Sequence, residues 1–264
     1  MSENTCPAAS AAESNKPKII EQSEYNNIKK VIAIVSGKGG VGKSSVSALM
    51  AIGLRRQGYK VGILDADITG PSIPKMFGLN THPESLDDHI LPVKTSSGIL
   101  VISLNLFLVE EDEPVIWRGP VLANVVKQFW TDVVWGDLDY LIVDLPPGTG
   151  DIPLTAMQSL PLDGLVVVTS PQDLAMMVVK KAVKMAEHMN IPILGMVENM
   201  SYLKCPDCGK EIYLFGPSKV FETTLETGMR LIDKLPVDPE LAALADQGKI
   251  ERYQTDAFKG ISFN

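Results

Sequence analysis

A glycine-rich segment with two lysines is the part of this chain best suited to chemistry. It consists of Gly37, Lys38, Gly39, Gly40, Val41, Gly42, Lys43 and Ser44, which fits the pattern G-x-x-x-x-G-K-[ST]. Glycines allow backbone conformations that are closed to other residues, so successive N–H groups can turn toward phosphate oxygens. In this pattern Lys43 reaches the β- and γ-phosphates and the Ser44 hydroxyl binds Mg²⁺. Together with Ser45, the segment predicts a binding loop for a nucleotide phosphate.

The elements around the loop are those that such a loop requires. Residues 31–35 form a short apolar, β-branched run, which predicts a buried strand. From Ser45 to Gln57 the apolar residues recur at helical spacing, and Gly58 is a suitable terminator. Residues 60–65 predict a second strand. This order of strand, loop, helix and strand favours a phosphate site over an ordinary glycine turn.

The alternation of strands and helices continues along the chain. Further strands are predicted at residues 99–104, 140–144, 165–169, 193–197 and 231–235, and helices at residues 121–134, 173–188 and 239–247. This pattern predicts an α/β fold of the P-loop NTPase type, with a mostly parallel sheet and helices on both faces. We expect a single domain over residues 28–264. Residues 1–27 are polar, which predicts a disordered or loosely attached tail with Cys6 as an incidental thiol.

Composition limits the partners that the chain can have. Of its 264 residues 45% are hydrophobic, and the net charge of −8 argues against non-specific binding to nucleic acid or to anionic membranes. No apolar run approaches about 18 residues, so no membrane span is expected. The N-terminus lacks the pattern of a signal peptide, and three cysteines do not make a disulfide framework. We therefore expect a cytoplasmic protein.

Polar side chains follow three of the predicted strands. Asp144 comes after four apolar residues, an arrangement that delivers a carboxylate to the sheet edge near Mg²⁺, although a helix cap is an alternative. Asp67 follows the strand that ends at Asp65 and has the chemistry to position an attacking water. Asn199 follows the strand that ends at Val197. Its amide offers a donor and an acceptor to an adenine edge, but Asn is also common in turns.

Cys205 and Cys208 form a C-x-x-C sequence in loop-like surroundings. Such a pair can bind zinc, hold an iron–sulfur cluster or form a redox disulfide, and the last usually requires a helix N-terminus after a strand. Tetrahedral zinc and [4Fe–4S] clusters both need four ligands, which the scattered His82, His89 and His188 do not supply. Two thiolates from a second copy, related by a two-fold axis, would complete a four-thiolate site.

Three motifs together carry a resemblance to a known family. They are G-K-G-G-V-G-K-S, D-L-P-P-G-T-G-D from Asp144 to Asp151, and C-P-x-C-G after V-E-N-M. From about Lys29 to Gly248 the chain resembles the Mrp/ApbC proteins. These belong to the dimerising ATPases with a deviant Walker A motif, as do the nitrogenase iron protein and the partition ATPases. The resemblance implies an ATPase that carries iron–sulfur clusters to apoproteins.

The resemblance also implies roles for individual residues. In that group the first lysine of the loop, here Lys38, crosses to the nucleotide of the partner subunit, whereas a lysine at a loop tip is otherwise usually only solvated. The family likewise implies that Asp67 orients the attacking water, that Asp144 opens a switch segment near the metal, and that Asn199 contacts adenine.

We therefore expect a cytoplasmic homodimer that binds ATP and Mg²⁺, hydrolyses ATP and transfers iron–sulfur clusters to apoproteins. Lys38, Lys43, Asp67 and Asp144 are the expected catalytic residues, and Cys205 and Cys208 are expected to hold a [4Fe–4S] cluster that bridges two subunits. Two alternatives remain at this point. One is a spatial organiser like the partition or septum-placing ATPases, which the acidic balance opposes. The other is a zinc-bridged dimer that acts as a nucleotide switch.

Overall fold

A computed structural model describes residues 19–67, 70, 72–108, 119–148, 150–218 and 220–263 of the chain. Cys6 and residues 1–18 of the predicted tail lie outside the described residues. The strands are β1 (Asn26–Ile28), β2 (Val31–Ser36), β3 (Val61–Asp65), β4 (Glu84–Leu86), β5 (His89–Leu91), β6 (Val93–Lys94), β7 (Leu100–Ser103), β8 (Gly136–Leu138), β9 (Tyr140–Asp144), β10 (Gly164–Thr169), β11 (Ile193–Glu198), β12 (Leu203–Lys204), β13 (Glu211–Ile212) and β14 (Leu231–Lys234).

The helices alternate with these strands for most of the chain. They are α1 (Lys43–Arg56), α2 (Ile73–Phe77), α3 (Gly119–Thr131), α4 (Asp151–Ser159), α5 (Asp173–Met189), α6 (Val220–Thr227) and α7 (Pro239–Asp246), with short 3₁₀ turns at Leu104–Phe107 and Ile250–Arg252. Among the described residues, no helix combines the length and apolar character that crossing a membrane requires.

One eight-stranded sheet organises the domain, in the order β14-β11-β10-β2-β9-β3-β7-β6. Neighbouring strands are parallel except for β6, which runs antiparallel to β7. Every residue of β2, β3, β9 and β10 is buried. These strands are rich in Val, Ile and Leu because a parallel sheet is covered on both faces. The predicted, mostly parallel sheet is confirmed.

Alternate side chains of the central strands enter two separate hydrophobic cores. Ile32 and Ile34 of β2 pack with the apolar face of α1, with α2 and with the C-terminal residues. Ala33 and Val35 point the other way and pack with α3, α4 and α5. The two-residue period of the strand therefore distributes its side chains to helices on opposite faces, which confirms the predicted layers.

Helix α1 begins two residues earlier than predicted, at Lys43. Gly42 precedes it with φ of 74°, a left-handed conformation that favours glycine. The predicted end of the helix near Gly58 is confirmed. The helix ends at Arg56, and Gly58 has a left-handed φ of 92°, as glycines after helices often do. The loop is therefore shorter than the pattern suggested, and Lys43 and Ser44 lie on the first turn of the helix.

The expectation of a loosely attached tail up to residue 27 needs correction. Strand β1 pairs in parallel with β8, and the Ile20 N–H donates to the Ser159 carbonyl at 2.9 Å. The Trp130 indole N–H donates to the Ile20 carbonyl at 3.1 Å. These bonds hold residues 20–28 to the domain. The polar composition of this segment concealed them, because backbone groups and the Asn26 amide form the hydrogen bonds to the domain.

Several short elements were not predicted from the sequence. Helices α4 and α6, of nine and eight residues, are two of them. The ribbons β4–β5 and β12–β13 have three and two residues in each strand. The predicted helix over residues 121–134 ends at Thr131, because Val133 forms a bridge with Ile90.

Candidate nucleotide and metal sites

The strand order brings the glycine loop and two carboxylates to one edge of the sheet. β9 lies between β2 and β3, with Ile34 opposite Asp144 and Asp144 opposite Asp65. The three strands are parallel, so their carboxyl ends meet where the loop leaves β2. Ligands of open α/β sheets bind at such an edge.

A pocket at this edge is lined by most of the predicted loop. The predicted residues that line it are Lys38, Gly39, Gly40, Gly42, Lys43, Ser44, Ser45 and Asp67, and Ser36, Ser72 and Pro147 complete the lining. Gly37 and Val41 belong to the same loop without lining the pocket, and the Val41 side chain is buried. The N-terminus of α1 lies at this pocket. Its unpaired N–H groups and the helix dipole favour a bound anion.

The carboxylate of Asp144 lies under the loop and is fully buried. Its Oδ1 is 2.8 Å from Nζ of Lys43 and accepts a hydrogen bond from the Ser47 hydroxyl at 2.6 Å. Its Oδ2 accepts from the Ser44 hydroxyl at 2.5 Å. A buried charge needs a counter-charge and hydrogen bonds. Asp144 has both, and it joins the end of β9 to the first turns of α1.

Asp67 and Asp65 occupy different environments. Asp67 lines the pocket, and its Oδ2 is 3.5 Å from Nζ of Lys43. Asp65 is buried, and it accepts hydrogen bonds from the Asp67 N–H at 3.1 Å and from the Ser103 hydroxyl at 3.1 Å. Burial raises the pKa of the Asp65 carboxyl well above its usual range, and the negative charge of Asp144 adds to the shift. Asp67 therefore faces the pocket. Asp65 lies behind it and holds the backbone of Asp67 through the hydrogen bond from the Asp67 N–H.

Asn199 lies against the loop and not in the pocket. Its side-chain N–H donates to the Val41 carbonyl at 2.9 Å, and the residue is buried. A Cβ added to Gly42 would lie 2.2 Å from Nδ2 of Asn199, so this approach is possible only because residue 42 is glycine. In this geometry Asn199 supports the loop, and the predicted adenine contact stays a prediction.

Lys38 has a partner within its own chain. Its ammonium group donates a hydrogen bond to Oε1 of Gln172, which lies just before α5. The contact brings together two loops that follow neighbouring strands, β2 and β10. It holds Lys38 beside the pocket, and its action on a second subunit stays a prediction.

The two cysteines lie at the tip of a short antiparallel ribbon formed by β12 and β13. The Cys205 N–H donates to the Lys210 carbonyl at 2.9 Å, and the Gly209 N–H donates to the Cys205 carbonyl at 2.8 Å. Both thiols are free, and Cys208 is exposed. A ribbon tip is not the helix N-terminus that a redox C-x-x-C usually occupies.

The turn stabilises negative charge on Cys205. Hydrogen bonds from the backbone N–H groups of Cys208 and Asp207, and from the Cys208 side chain, lower the pKa of the Cys205 thiol. A thiolate is the form that binds zinc or iron. In the part of the chain that the structure describes, no group of three or more His, Cys, Asp or Glu residues could hold a metal ion. The pair could supply two of the four ligands that a tetrahedral zinc site or a [4Fe–4S] cluster needs, and the cluster assignment stays a prediction.

Sequence reasoning missed two residues that the site uses. Ser47 follows Lys43 by one helical turn, so its contact with Asp144 could have been inferred from the spacing of Ser44 and Ser47 in α1. Gln172 gave no signal. Its contact with Lys38 depends on β10 lying beside β2, and that order is a property of the whole sheet.

Stability should depend on pH through Asp65. Its pKa is raised in the folded protein, so the folded state retains a proton that the unfolded chain loses above about pH 4, and stability falls as the pH rises from there. Asp65→Asn mimics the protonated form. We expect the variant to unfold at a higher temperature than the wild type at neutral pH, with the difference shrinking as the pH falls toward 4.

Asp139→Asn is the matched control for this thermal unfolding series. Hydrogen bonds from Lys29 and from the Lys60 N–H lower the pKa of Asp139, so its stabilising effect is present at neutral pH and is lost in acid. The control should therefore destabilise the protein at neutral pH. If the stability difference between Asp65→Asn and the wild type does not change with pH, the pKa of Asp65 is not raised in the folded protein.

Known proteins resemble this chain over nearly its whole length. The iron-sulfur cluster carrier protein of Clostridium perfringens is 48% identical over 239 residues, which cover 88% of this chain and 84% of that protein. The iron-sulfur cluster carrier protein of Methanocaldococcus jannaschii is 44% identical over 252 residues, which cover 93% of this chain and 87% of that protein.

A solved structure agrees in fold and in sequence. It is a nucleotide-binding protein from Archaeoglobus fulgidus in complex with ADP, with cobalt found in it. It superposes with a TM-score of 0.81 at 45% identity, covering 90% of this chain and 93% of that one. Residues 27–261 match the ParA family described as NUBPL iron-transfer P-loop NTPases. The resemblance inferred from the motifs is thereby confirmed, and the chain belongs to this family of iron-transfer P-loop NTPases.

Proposed function

We propose that this protein is an ATP-hydrolysing carrier of iron–sulfur clusters that works as a cytoplasmic homodimer and delivers clusters to apoproteins. The observation that carries the proposal is the combination of a P-loop pocket with an exposed pair of free thiols on one domain. The names of the relatives at 44% and 48% identity support the same function.

The loop residues account for binding of the nucleotide. Backbone N–H groups of residues 37–45 and the ammonium of Lys43 would hold the phosphates, since the loop opens at the N-terminus of α1. The Ser44 hydroxyl and the Asp144 carboxylate lie 2.5 Å apart and are the hard oxygen donors that Mg²⁺ prefers. They would hold this ion, which would offset the negative charge of the phosphates.

Two residues are assigned to the hydrolytic step. The Asp67 carboxylate lies beside Lys43 at the pocket wall, where it would orient the attacking water. Lys38 would stabilise charge at the nucleotide of the partner subunit, a role comparable to that of an arginine finger. Its hydrogen bond to Gln172 holds the Lys38 side chain beside the pocket. Lys38 would have to leave Gln172 to reach the nucleotide of the partner subunit.

Cys205 and Cys208 would bind the cluster that is carried. Two copies related by a two-fold axis would supply the four thiolates of a [4Fe–4S] cluster. The exposed ribbon tip suits a cargo that must leave for another protein. Iron and zinc both bind thiolates, so the two cysteines alone do not distinguish the two metals. Analysis of the metal bound to the protein separates this proposal from a zinc-bridged nucleotide switch. No observation favours a spatial organiser, because the cysteine ribbon would have no role in one.

Lys43→Ala should lower the rate of ATP hydrolysis at least about 100-fold, because the phosphates lose a fixed cation in a water-poor site. Lys60→Ala, which removes an exposed lysine that pairs with Asp137, is the control and should hydrolyse ATP normally. Phosphate release by purified protein is the measurement. Unchanged ATP hydrolysis by a folded Lys43→Ala protein would contradict the assignment of Lys43 to the nucleotide phosphates.

Mixing two inactive variants tests whether Lys38 acts between subunits. In a mixed dimer of Lys38→Ala and Lys43→Ala chains, one nucleotide site has its own Lys43 and receives Lys38 from the partner. We expect each variant alone to be slow and the mixture to recover activity. A mixture no faster than the average of the separate variants would show that Lys38 acts within its own subunit.

Cys205→Ser and Cys208→Ser should each abolish cluster binding, since a serine hydroxyl is a poor ligand for iron compared with a thiolate. After anaerobic reconstitution, iron and sulfide analysis of the wild type should give one four-iron cluster for two chains. Hydrolysis of ATP by the variants reports that they are folded. A full four-iron cluster on each isolated chain, or zinc as the only metal retained, would contradict the bridging site.

A further inference from the structure

Ser47 is a polar residue in the apolar part of helix α1. Its side chain is fully buried, and the other residues from Val46 to Ile52 are apolar and buried as well. Alanine forms helices better than serine and would bury no hydroxyl group at this position. A buried serine hydroxyl needs a hydrogen-bond partner, and the partner that Ser47 has belongs to the nucleotide site.

The partner of the Ser47 hydroxyl is the carboxylate of Asp144. The hydroxyl oxygen lies 2.6 Å from Oδ1 of Asp144 and 3.1 Å from the carbonyl oxygen of Lys43. A hydroxyl has a single proton to donate. The carboxylate is the nearer acceptor, and its charge makes it the stronger one. The Ser47 hydroxyl therefore donates to Asp144.

The two oxygens of this carboxylate are held in different ways. Oδ2 accepts a hydrogen bond from the Ser44 hydroxyl, whereas Oδ1 is shared by the Lys43 ammonium at 2.8 Å and the Ser47 hydroxyl. Within the part of the chain that the structure describes, these three side chains are the partners of the carboxylate. If Lys43 turns to the phosphates of a nucleotide, Oδ1 keeps one donor, and that donor is Ser47.

Burial makes this remaining donor important. The Asp144 side chain is fully buried, so water does not replace a donor that leaves. A buried charged group that loses its last hydrogen bond is destabilised more than one that keeps a donor. The Ser47 hydroxyl therefore lowers the free energy that is needed to move Lys43 away from Asp144.

We propose that Ser47 is a positioning residue for ATP binding, which holds Oδ1 of Asp144 when Lys43 moves to the phosphates and so makes Lys43 available to the nucleotide. The inference rests on the proposed function in taking Lys43 as the cation that binds the phosphates. It adds a residue that lies outside the glycine loop, does not line the pocket and acts through Asp144.

Titration calorimetry with ATP in a chelating buffer free of divalent cations tests the proposal. Ser47→Ala should weaken ATP binding on the order of tenfold, the usual size of a hydrogen bond to a charged group. Ser47→Thr keeps a hydroxyl on the same carbon atom and should bind ATP about as the wild type does. Thermal unfolding without nucleotide reports that each variant is folded. A folded Ser47→Thr protein that binds as weakly as Ser47→Ala would overturn the proposal.

Ser103→Ala is the matched control. The Ser103 side chain is also fully buried, and its hydroxyl donates to the buried carboxylate of Asp65 at 3.1 Å. Among the described residues, Lys43 forms its ion pairs with Asp144 and Asp67 and not with Asp65. The control should therefore bind ATP as the wild type does. An equal loss of affinity in Ser103→Ala and Ser47→Ala would overturn the proposal, because any loosening of this sheet edge would then have the same effect.

The dependence on Asp144 separates positioning from an effect on packing. In Asp144→Asn no charge is left unpaired when Lys43 moves. Adding Ser47→Ala to this variant should therefore change its affinity for ATP less than about twofold. A tenfold loss in both backgrounds would show that Ser47 acts through the packing of α1, and the positioning role would be wrong.

The outcomes also separate this proposal from the proposed function. If Ser47→Ala binds ATP as tightly as the wild type, the positioning role is wrong and the assignment of Lys43 to the phosphates stands. A wild type that binds no ATP in the chelating buffer would also overturn the positioning role, and binding restored by Mg²⁺ would leave the proposed function standing. A wild type that binds no ATP even with Mg²⁺ would refute both.

Discussion

The buried pair of Lys43 and Asp144 is the interaction on which the rest of the nucleotide site depends. Asp144 ends β9 in the middle of the sheet, and Lys43 begins α1 directly after the glycine loop. Their 2.8 Å contact, with Ser44 and Ser47 bonded to the same carboxylate, fixes the loop over the sheet edge. Removal of one partner from a buried ion pair typically costs about 3–5 kcal/mol, so the loop and the strand end are positioned as one unit.

The same pair constrains how a nucleotide can bind. Lys43 is the cation that phosphates would attract, and its movement toward them would leave the Asp144 carboxylate buried without its counter-charge. Asp144 would then need another cation, and the hydroxyl of its neighbour Ser44 would complete the proposed site for Mg²⁺. We infer that the chain favours the nucleotide together with its metal ion over the nucleotide alone. The hydrogen bond from Asn199 to the Val41 carbonyl would keep the loop in place during such an exchange.

Local sequence patterns predicted the elements of the fold. They did not predict the contacts between elements that are far apart in the sequence. The buried runs of β2, β3 and β9 and the loop between β2 and α1 follow from residue type and spacing, because a parallel sheet requires continuous apolar strands. The position of β9 between β2 and β3 does not follow from spacing, and it is this order that places Asp144 under Lys43. The contact of Asn199 with Val41 and that of Lys38 with Gln172 likewise depend on which loops the sheet brings together.

The most direct test of the exchange at Asp144 is the affinity for ATP in the absence of divalent cations. Titration calorimetry in a chelating buffer would compare the wild type with Asp144→Asn, in which Lys43 can turn to the phosphates without leaving a buried carboxylate unpaired. Asp144→Asn should bind metal-free ATP at least about tenfold more tightly than the wild type, which corresponds to about 1.4 kcal/mol. Equal or weaker binding by the variant would contradict the exchange at Asp144.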